Sequence, residues 1–217
     1  LNGTISNTIF NGANFGTIVG IGNASITGAI TVNGASNWQK IENITLNTLA
    51  AGVNLHINCR VNFSAAGSVL GRYERCFFNG ASDFIAQYGA SSGFDLKDCV
   101  INCANFSQLT GGLTSSGENF KIDNCNINCE NFISARGTNT LQITNSTIKA
   151  TGSTHFVNGD SGGTFDVLIS NSTIQTGCTF LNQNGVNANS IFNVISNKPT
   201  NGTYNGLLQV ISTLNLI

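Results

Sequence analysis

The feature that most constrains this chain is a repeat of twenty-odd residues. Five consecutive segments align on one small residue, which we call the anchor, and the anchors are Cys76, Cys99, Cys125, Ser146 and Ser172. Their spacings are 23, 26, 21 and 26 residues. A period of this length is typical of a solenoid, in which each repeat packs only on its neighbours.

Apolar residues occupy fixed columns around the anchor. Three positions before it stand Tyr73, Leu96, Ile122, Ile143 and Ile169. Two positions after it stand Phe78, Ile101, Ile127, Ile148 and Ile174, and a looser column further on contains Phe84, Phe106, Phe132, Phe156 and Phe180. The abundance of Gly, Asn, Thr and Ser disfavours helix. The columns therefore predict β-strands.

The phase of these columns slips by one residue immediately before the anchor. Alternate residues of a strand face the same side, so the slip predicts a corner between two short strands that face one interior. Arg75 stands at the slip in one repeat, and Asn and Asp tolerate the left-handed conformation that such a corner needs. We predict a ladder of hydrogen-bonded corner side chains from Asn43, Asp98, Asn124, Asn145 and Asn171.

Each repeat is then predicted to be one coil of a parallel β-helix. The motifs "KIDNCNI", "QITNSTI" and "LISNSTI" resemble the right-handed parallel β-helix of the pectin-lyase-like superfamily, which includes many phage tailspikes. The resemblance covers residues 38–197 and implies an all-β solenoid of about seven to nine coils. Residues 1–37 are predicted to supply N-terminal strands or first coils, and residues 198–217 a C-terminal strand or cap. Because the chain begins with Leu1 and lacks Met, we expect a region upstream of it.

All seven cysteines stand at the parity of apolar residues: Cys59, Cys76, Cys99, Cys103, Cys125, Cys129 and Cys178. A buried free Cys behaves as a small hydrophobe, so these thiols are predicted to be reduced core residues. The spacing in "CVINC" and "CNINC" lacks an accompanying histidine and disfavours a metal site. Disulfides between neighbouring coils remain an alternative. An odd number of inward thiols favours folding in a reducing cytoplasm.

The segment "NGDSGG", residues 158–163, spells the motif around the nucleophilic serine of chymotrypsin-like proteases. Such a serine needs a histidine base and an acid that orients it. The chain has two histidines, and His56 is about four coils from Ser161, or nearly 20 Å at the usual strand spacing. The segment aligns with the variable loops of the other repeats, so we interpret it as a turn. The candidate contact loops contain Tyr88, Arg136, Asp160 and Ser161.

Paired carboxylates are the other route to chemistry on a β-helix. Glu74, Lys97 and Asp123 share one outward position in successive coils, which predicts a lateral ion-pair ladder. The Asn-Thr-Asp, Asp-Asp and Gly-His-Asp motifs of polygalacturonases do not occur, nor does the acid cluster with a nearby Arg of pectate lyases. No catalytic residue, metal or cofactor is predicted.

Charge and hydropathy exclude further classes. The net charge is -1 with 9% charged residues, so the chain has no basic stripe for nucleic acid. Its apolar runs are too short to insert into a membrane. We expect a structural or receptor-binding component of a virus or phage particle, namely a spike, fibre or appendage. It would act at the virion surface or outside cells and contact a host surface glycan or neighbouring subunits.

The oligomer expected from the resemblance is a homo-oligomer, specifically a trimer. Two alternative functions remain open. A carbohydrate-active depolymerase, either lyase or hydrolase, predicts two acids from adjacent coils about 5 to 10 Å apart in an open groove. A bacterial cell-surface adhesin or filament module predicts an export signal upstream.

Overall fold

The computed structural model describes residues 1–6, 8–11, 16–28, 30–33, 40–48, 55–64, 71–84, 94–108, 118–136, 139–151, 155–160, 165–176, 179–182, 192–195 and 208–211. Regular structure in these residues consists of β-strands. The first eleven strands are β1 (Asn2–Ile5), β2 (Thr8–Asn11), β3 (Thr17–Val19), β4 (Ile21–Ile26), β5 (Ile30–Asn33), β6 (Lys40–Glu42), β7 (Thr45–Leu46), β8 (Leu55–Ile57), β9 (Arg60–Phe63), β10 (Gly71–Glu74) and β11 (Phe77–Gly80).

The repeats identified from the sequence supply most of the later strands. These are β12 (Phe94–Lys97), β13 (Val100–Asn102), β14 (Asn105–Gln108), β15 (Glu118–Asp123), β16 (Asn126–Cys129), β17 (Asn131–Arg136), β18 (Asn139–Thr144), β19 (Thr147–Ala150), β20 (His155–Asp160), β21 (Phe165–Ser170), β22 (Thr173–Thr176), β23 (Thr179–Asn182), β24 (Phe192–Ile195) and β25 (Leu208–Ile211).

The strands form stacked parallel sheets. Within the described residues, one sheet has nine strands in the order β1-β4-β7-β9-β11-β13-β16-β19-β22. A second has ten, in the order β25-β24-β21-β18-β15-β12-β10-β8-β6-β3. A third contains β14-β17-β20-β23, and β2 pairs with β5. Successive strands of one repeat, such as β15, β16 and β17, therefore belong to three different sheets, which is compatible with a parallel β-helix.

The pairing register confirms the columns predicted from the anchors. In the ten-stranded sheet, Leu96 pairs with Tyr73 on one side and with Ile122 on the other. In the nine-stranded sheet, Ile101 pairs with Phe78 and Ile127 in the same way. Equivalent residues of successive repeats thus lie directly over one another, because the variable loops absorb all differences in repeat length.

The core lies between the sheets and is made of these columns. The rings of Phe84, Phe106 and Phe132 are fully buried, with neighbouring centroids 5.4 and 4.8 Å apart. Burial of one such side chain contributes about 1.5 to 3 kcal/mol, so each repeat adds a similar increment to stability.

Backbone hydrogen bonds between successive repeats continue from the ten-stranded sheet into the corner residues. The backbone N–H of Arg75 donates to the carbonyl of Lys97 at 2.9 Å, and that of Asp98 donates to the carbonyl of Asp123 at 3.0 Å. Backbone groups at the bend are therefore satisfied by the next repeat, as buried or half-buried polar groups require. Strands before and after residue 37 belong to the same sheets, since β3 pairs with β6 and β4 pairs with β7.

Candidate functional site

An open groove of about 490 Å³ lies at the end of the nine-stranded sheet, where β11, β13, β16 and β19 lead into the next bend. Half of its lining residues are polar or charged, and the other half are small. The residues that line it are Gly80, Ala81, Asn102, Cys103, Ala104, Asn128, Cys129, Glu130, Lys149 and Thr151. We call this feature the amide groove.

The groove follows from a column of small residues four positions after the anchor. These small residues are Gly80, Cys103, Cys129 and Ala150, and the buried Phe63 occupies the same position in the preceding repeat. A Cβ atom at Gly80 would lie only 2.5 Å from the backbone oxygen of Phe63, so this position admits no side chain. Small side chains in the following repeats leave the outer edge of the sheet open.

A row of asparagines runs along the outer face beside the groove. Asn62, Asn79, Asn102 and Asn128 pair in register on successive strands, and Lys149 follows them. The amide of Asn128 donates to the carbonyl oxygen of Asn102 at 3.0 Å. Because an amide both donates and accepts, such a row offers alternating donors and acceptors to a bound molecule.

Apolar surface lies next to this row. Phe77 stands two residues before Asn79 and pairs with Val100, which is 37% exposed. The guanidinium of Arg60 lies over the Phe77 ring, 4.8 Å from its centroid, in a cation–π contact. The face therefore combines hydrogen-bonding amides with an apolar patch.

The groove carries one acid, Glu130, and one base, Lys149, both exposed. Burial raises the pKa of Cys103, with smaller contributions from Cys129 and Asp83, so this thiol stays protonated at neutral pH. The groove also presents hydrogen-bonding groups, namely the amides of Asn102 and Asn128 and the hydroxyl of Thr151.

A second, smaller groove of about 250 Å³ lies on the outer face of the ten-stranded sheet. Its lining is charged and includes Arg72, Asp95, Lys97, Lys121 and Asp123. Hydrogen bonds from Thr144 at 2.7 Å and Asn145 at 2.9 Å lower the pKa of Asp123, and Lys97 lowers it further. Asp123 is therefore an anion at neutral pH.

The residues of the predicted lateral ion-pair ladder are in register, but Lys97 does not form the predicted ion pairs. Lys97 pairs in register with Glu74 and with Asp123. Glu74 is instead bridged by Arg72 at 2.7 Å, and among the described residues no ion pair joins Lys97 to either acid. The nearby arginine competes better because a guanidinium presents several donors in a fixed fork.

The five predicted corner residues all have positive φ, from 47° at Asn171 to 57° at Asn43. Arg75 and Asn58 share this conformation. Asn58 was missed as a corner residue, although it stands directly before Cys59 just as Asn124 stands before Cys125. The remaining three of the five predicted corner residues, with φ values between those of Asn171 and Asn43, are Asp98, Asn124 and Asn145.

Side-chain hydrogen bonds join the corner residues in groups. Asn58 donates to Asn43 at 3.2 Å and accepts from Arg75 at 2.9 Å. Two further pairs follow, in which Asn124 donates to Asp98 at 2.6 Å and Asn171 donates to Asn145 at 2.7 Å. Asn145 itself donates to Asp123, so its amide does not continue the line to Asn124.

A second line of polar contacts was not predicted. Asn131 donates to Asn105 at 2.7 Å, and Asn105 donates to Asp83 at 2.6 Å. These residues immediately precede Phe132, Phe106 and Phe84. The sequence signal was an Asn or Asp directly before three of the five Phe residues of the looser column.

The structure buries five of the cysteines and half-buries Cys103, and these six are free thiols. At the anchor, each thiol lies near the carbonyl two residues earlier. The Sγ of Cys99, for example, is 3.2 Å from the Lys97 oxygen and 3.5 Å from the Tyr73 oxygen of the preceding repeat. The buried cysteines are Cys59, Cys76, Cys99, Cys125 and Cys129, and Cys178 lies outside the described residues.

The candidate contact loops fall largely outside the described residues. Tyr88 and Ser161 lie outside them, so the protease-like segment is represented only by its first residues. The backbones of Arg136 and Asp160 are paired in register at the ends of β17 and β20. Adjacent repeats thus place the backbones of these two candidates at neighbouring strand ends of the third sheet.

Within the described parts of the chain, no three His, Cys, Asp or Glu residues are grouped to hold a metal ion. Those parts also contain no helix with the length and hydropathy of a membrane span. Comparison with known proteins gives no match to a family model, a curated protein or a solved structure.

Proposed function

We propose that this chain is a structural or receptor-binding component of a virus or phage particle that contacts host surface glycan or neighbouring subunits. We further propose that its sheets close into a right-handed parallel β-helix of about seven to nine coils, with the corner residues of successive coils stacked along one line of bends. Four consecutive repeats each place one described strand in each of three sheets, which supports this closure, and crossovers between parallel strands are right-handed in nearly all proteins.

The observation that carries glycan binding is the asparagine row beside the amide groove. Sugar hydroxyls both donate and accept hydrogen bonds, and so do the amides of Asn102 and Asn128. The apolar surface of Phe77 and Val100 suits the C–H face of a sugar ring. Because the amides recur once per strand, at about 4.8 Å, they suit a ligand that is itself a repeating chain.

The state of the cysteines supports assembly in a reducing cytoplasm. The six described cysteines are free, and five of them are buried at or after the anchor. Structural disulfides are usual in secreted proteins of oxidising compartments, so a repetitive chain with free inward thiols fits a protein that folds before release. This favours a particle component over an exported adhesin.

Glycan binding is tested with a printed array of neutral and acidic oligosaccharides, followed by calorimetric titration of the best-bound oligosaccharide. The double variant Asn102→Leu/Asn128→Leu keeps side-chain volume and removes the amides. We expect its Kd to rise at least tenfold, which corresponds to about 1.4 kcal/mol. The control variant is Asn23→Ala, which removes an exposed amide of β4 that lines neither groove and should bind as the unmodified chain does.

Two outcomes would overturn the proposal. One is the absence of binding to every oligosaccharide on the array at millimolar concentration. The other is binding that the double variant retains in full, which would place the contact elsewhere. Electron microscopy of the intact assembly tests the particle role independently, since the stacked sheets should project from a larger body.

A second candidate, a carbohydrate-active depolymerase, is favoured by one observation. Asp95 and Asp123 come from adjacent repeats and line the same groove on the ten-stranded sheet. Their diagonal placement in register implies Cα atoms roughly 7 to 8 Å apart, which suits a pair of catalytic carboxylates. The lowered pKa of Asp123 suits a nucleophile or base, not a proton donor.

The depolymerase hypothesis is tested by reducing-end release from the oligosaccharide that the chain binds. Asp95→Asn and Asp123→Asn should each lower the rate at least a hundredfold if both acids act. Binding without turnover in the unmodified chain would exclude the hypothesis and leave glycan recognition intact.

A further inference from the structure

The outer face of the ten-stranded sheet carries two rows of side chains that have opposite charges on four of its strands. We call them the first row and the second row. In register from β6 to β18, the first row is Lys40, Leu55, Arg72, Asp95, Lys121 and Gln142. The second row, two residues further along each strand, is Glu42, Ile57, Glu74, Lys97, Asp123 and Thr144.

The two rows are matched strand by strand. Four strands carry a positive charge in one row and a negative charge in the other, with the signs reversed on β12, where Asp95 precedes Lys97. The apolar strand β8 has Leu55 and Ile57, both half-buried, and β18 has two neutral polar residues. Only 9% of the residues in the chain are charged, so this face carries an unusual concentration of charged side chains.

Contacts within one chain explain only part of the pattern. Lys40 bridges Glu42 at 2.8 Å, and Arg72 bridges Glu74 at 2.7 Å and reaches Asp95 at 3.8 Å. Lys97 and Lys121 have no ion-pair partner within the described residues. The two lysines therefore remain available to a partner.

The balance of charges indicates what kind of partner fits. Four cations and four anions cancel on this face, so it does not select a polyanion or a polycation. A surface with the same alternation does fit. The chain itself is such a surface, because each row is the charge complement of the other.

We propose that this face binds a second copy of the chain, face to face, about a twofold axis parallel to the direction in which the strands stack. That axis exchanges the first and second rows and keeps each strand opposite its own equivalent, as in an isologous interface. Asp95 then lies opposite Lys97 of the second copy. The same operation opposes Lys121 to Asp123, Arg72 to Glu74, and Leu55 to Ile57.

The reverse orientation is unfavourable. A twofold axis along the strands and through β12 would oppose Arg72 to Lys121, and Glu74 to Asp123. Like charges in direct opposition oppose association, so the charge pattern selects two copies whose strands stack in the same direction. A threefold arrangement would place this face against a different face and would not use the match between its rows.

The size of the face sets the strength of the contact. Six strands at about 4.8 Å spacing give a strip roughly 30 Å long, and the strip is only two side chains wide. Its buried area is at the low end for specific complexes. We expect a weak dimer that salt weakens further, since exposed charges are screened within about 10 Å at 0.1 M.

This inference rests on the assembly part of the proposed function, and charge reversal in pairs tests it. Asp95→Lys and Lys97→Asp each place like charges opposite each other in a homodimer. By sedimentation equilibrium at low salt, each variant alone should dimerise at least tenfold more weakly than the unmodified chain. An equimolar mixture of the two variants should regain dimerisation, because each supplies the charge that the other lacks.

The control is Thr147→Glu, at an exposed position of the nine-stranded sheet outside both grooves, which should leave association unchanged, and far-UV circular dichroism verifies that every variant is folded. A mixture that stays monomeric, or a trimer that neither reversal weakens, would overturn the inference. So would an unmodified chain that is monomeric at several hundred micromolar. Oligosaccharide binding, measured on the same samples, separates failure of this interface from failure of glycan recognition.

Discussion

The inward column three residues before the anchor has two sections that differ in chemistry. In the earlier repeats it contains His56 and Tyr73, whose rings stack with centroids 4.4 Å apart and planes 12° apart. In the later repeats it contains Leu96, Ile122 and Ile143. All five side chains are buried in equivalent positions. The same backbone thus accepts a polar aromatic stack or an aliphatic one.

The two sections differ in how they respond to protons. Both ring nitrogens of His56 are buried without a hydrogen-bond partner. Burial therefore lowers the pKa of His56 to about 3, and it raises the pKa of Tyr73. The aliphatic section contains nothing that titrates. Stacking in register therefore determines the shape and burial of the inward column, and the identity of each side chain determines whether its contribution to stability depends on pH.

The largest predicted effect is the dependence of stability on pH in the His56 section. Above pH 6.5 the imidazole is neutral in the folded and unfolded chain. As pH falls from 6.5 to about 3, only the unfolded chain takes up the proton, so the free energy of unfolding falls. From pH 7 to pH 3.5 the decrease is about 4 kcal/mol, at about 1.4 kcal/mol for each pH unit below 6.5. Urea denaturation at these two pH values measures it, and His56→Leu should remove this contribution.

The control for that measurement is Ile122→Val, which should lower stability by a similar small amount at both pH values. Carboxylates titrate in every variant, so the decisive quantity is the difference between the unmodified chain and His56→Leu. An equal loss of stability on acidification in both proteins would show that His56 is not protonated on unfolding, against its buried position.

The next largest predicted effect concerns the packing of the aliphatic section of the inward column. Ile122→Ala leaves a cavity between Leu96 and Ile143 and should lower the free energy of unfolding by about 2 to 5 kcal/mol. The loss should be the same at pH 7 and pH 5, because no titrating group is changed. A loss below about 1 kcal/mol, measured by urea denaturation, would indicate that the column is loosely packed.

The corner between the two inward strands gives a smaller effect. Asn124 has φ of 52° and donates to Asp98. Asn124→Ala should cost roughly 1 to 2 kcal/mol, since the left-handed conformation is strained for Ala. Asn124→Gly should cost no more than about half of that, because Gly adopts this conformation without strain. If both variants lose equal stability in thermal denaturation, the hydrogen bond, not the backbone conformation, is what the corner requires.

The parts of this fold that could be predicted are those that repeat. The columns of Ile101 and Ile122 and the left-handed corners follow from period, parity and the conformational preference of Asn. They could be predicted because the same pattern of apolar residues and of Asn or Asp recurs in successive repeats. The parallel sheets bring these residues into register as expected.

The amide groove and the charge contacts could not be predicted in the same way. The groove depends on Gly80 and the small residues after it, and their effect appears only once the strands are stacked. The partner of Glu74 is Arg72 on its own strand, and side-chain reach rather than register decides that choice. The Asn before Phe106 is a single polar residue next to a strong apolar column, so its hydrogen bonds to neighbouring repeats have only a weak signal in the sequence.

The smallest predicted effect is that of exchanging Cys for Ser at the anchor, where the earlier repeats have Cys and the later ones have Ser. The Sγ of Cys99 lies 3.2 Å from the Lys97 oxygen, and the Oγ of Ser146 donates to the Thr144 oxygen at 2.7 Å, so both occupy one geometry. Cys99→Ser should therefore change the free energy of unfolding by less than about 1 kcal/mol, because the hydroxyl finds its acceptor in place. Ser146→Ala should cost about 1 to 3 kcal/mol, since the N–H of Cys125 loses the acceptor it now has at 3.0 Å. Urea denaturation of both variants decides between them, and a larger loss for Cys99→Ser would mean that the thiol column is held by packing that a hydroxyl cannot supply.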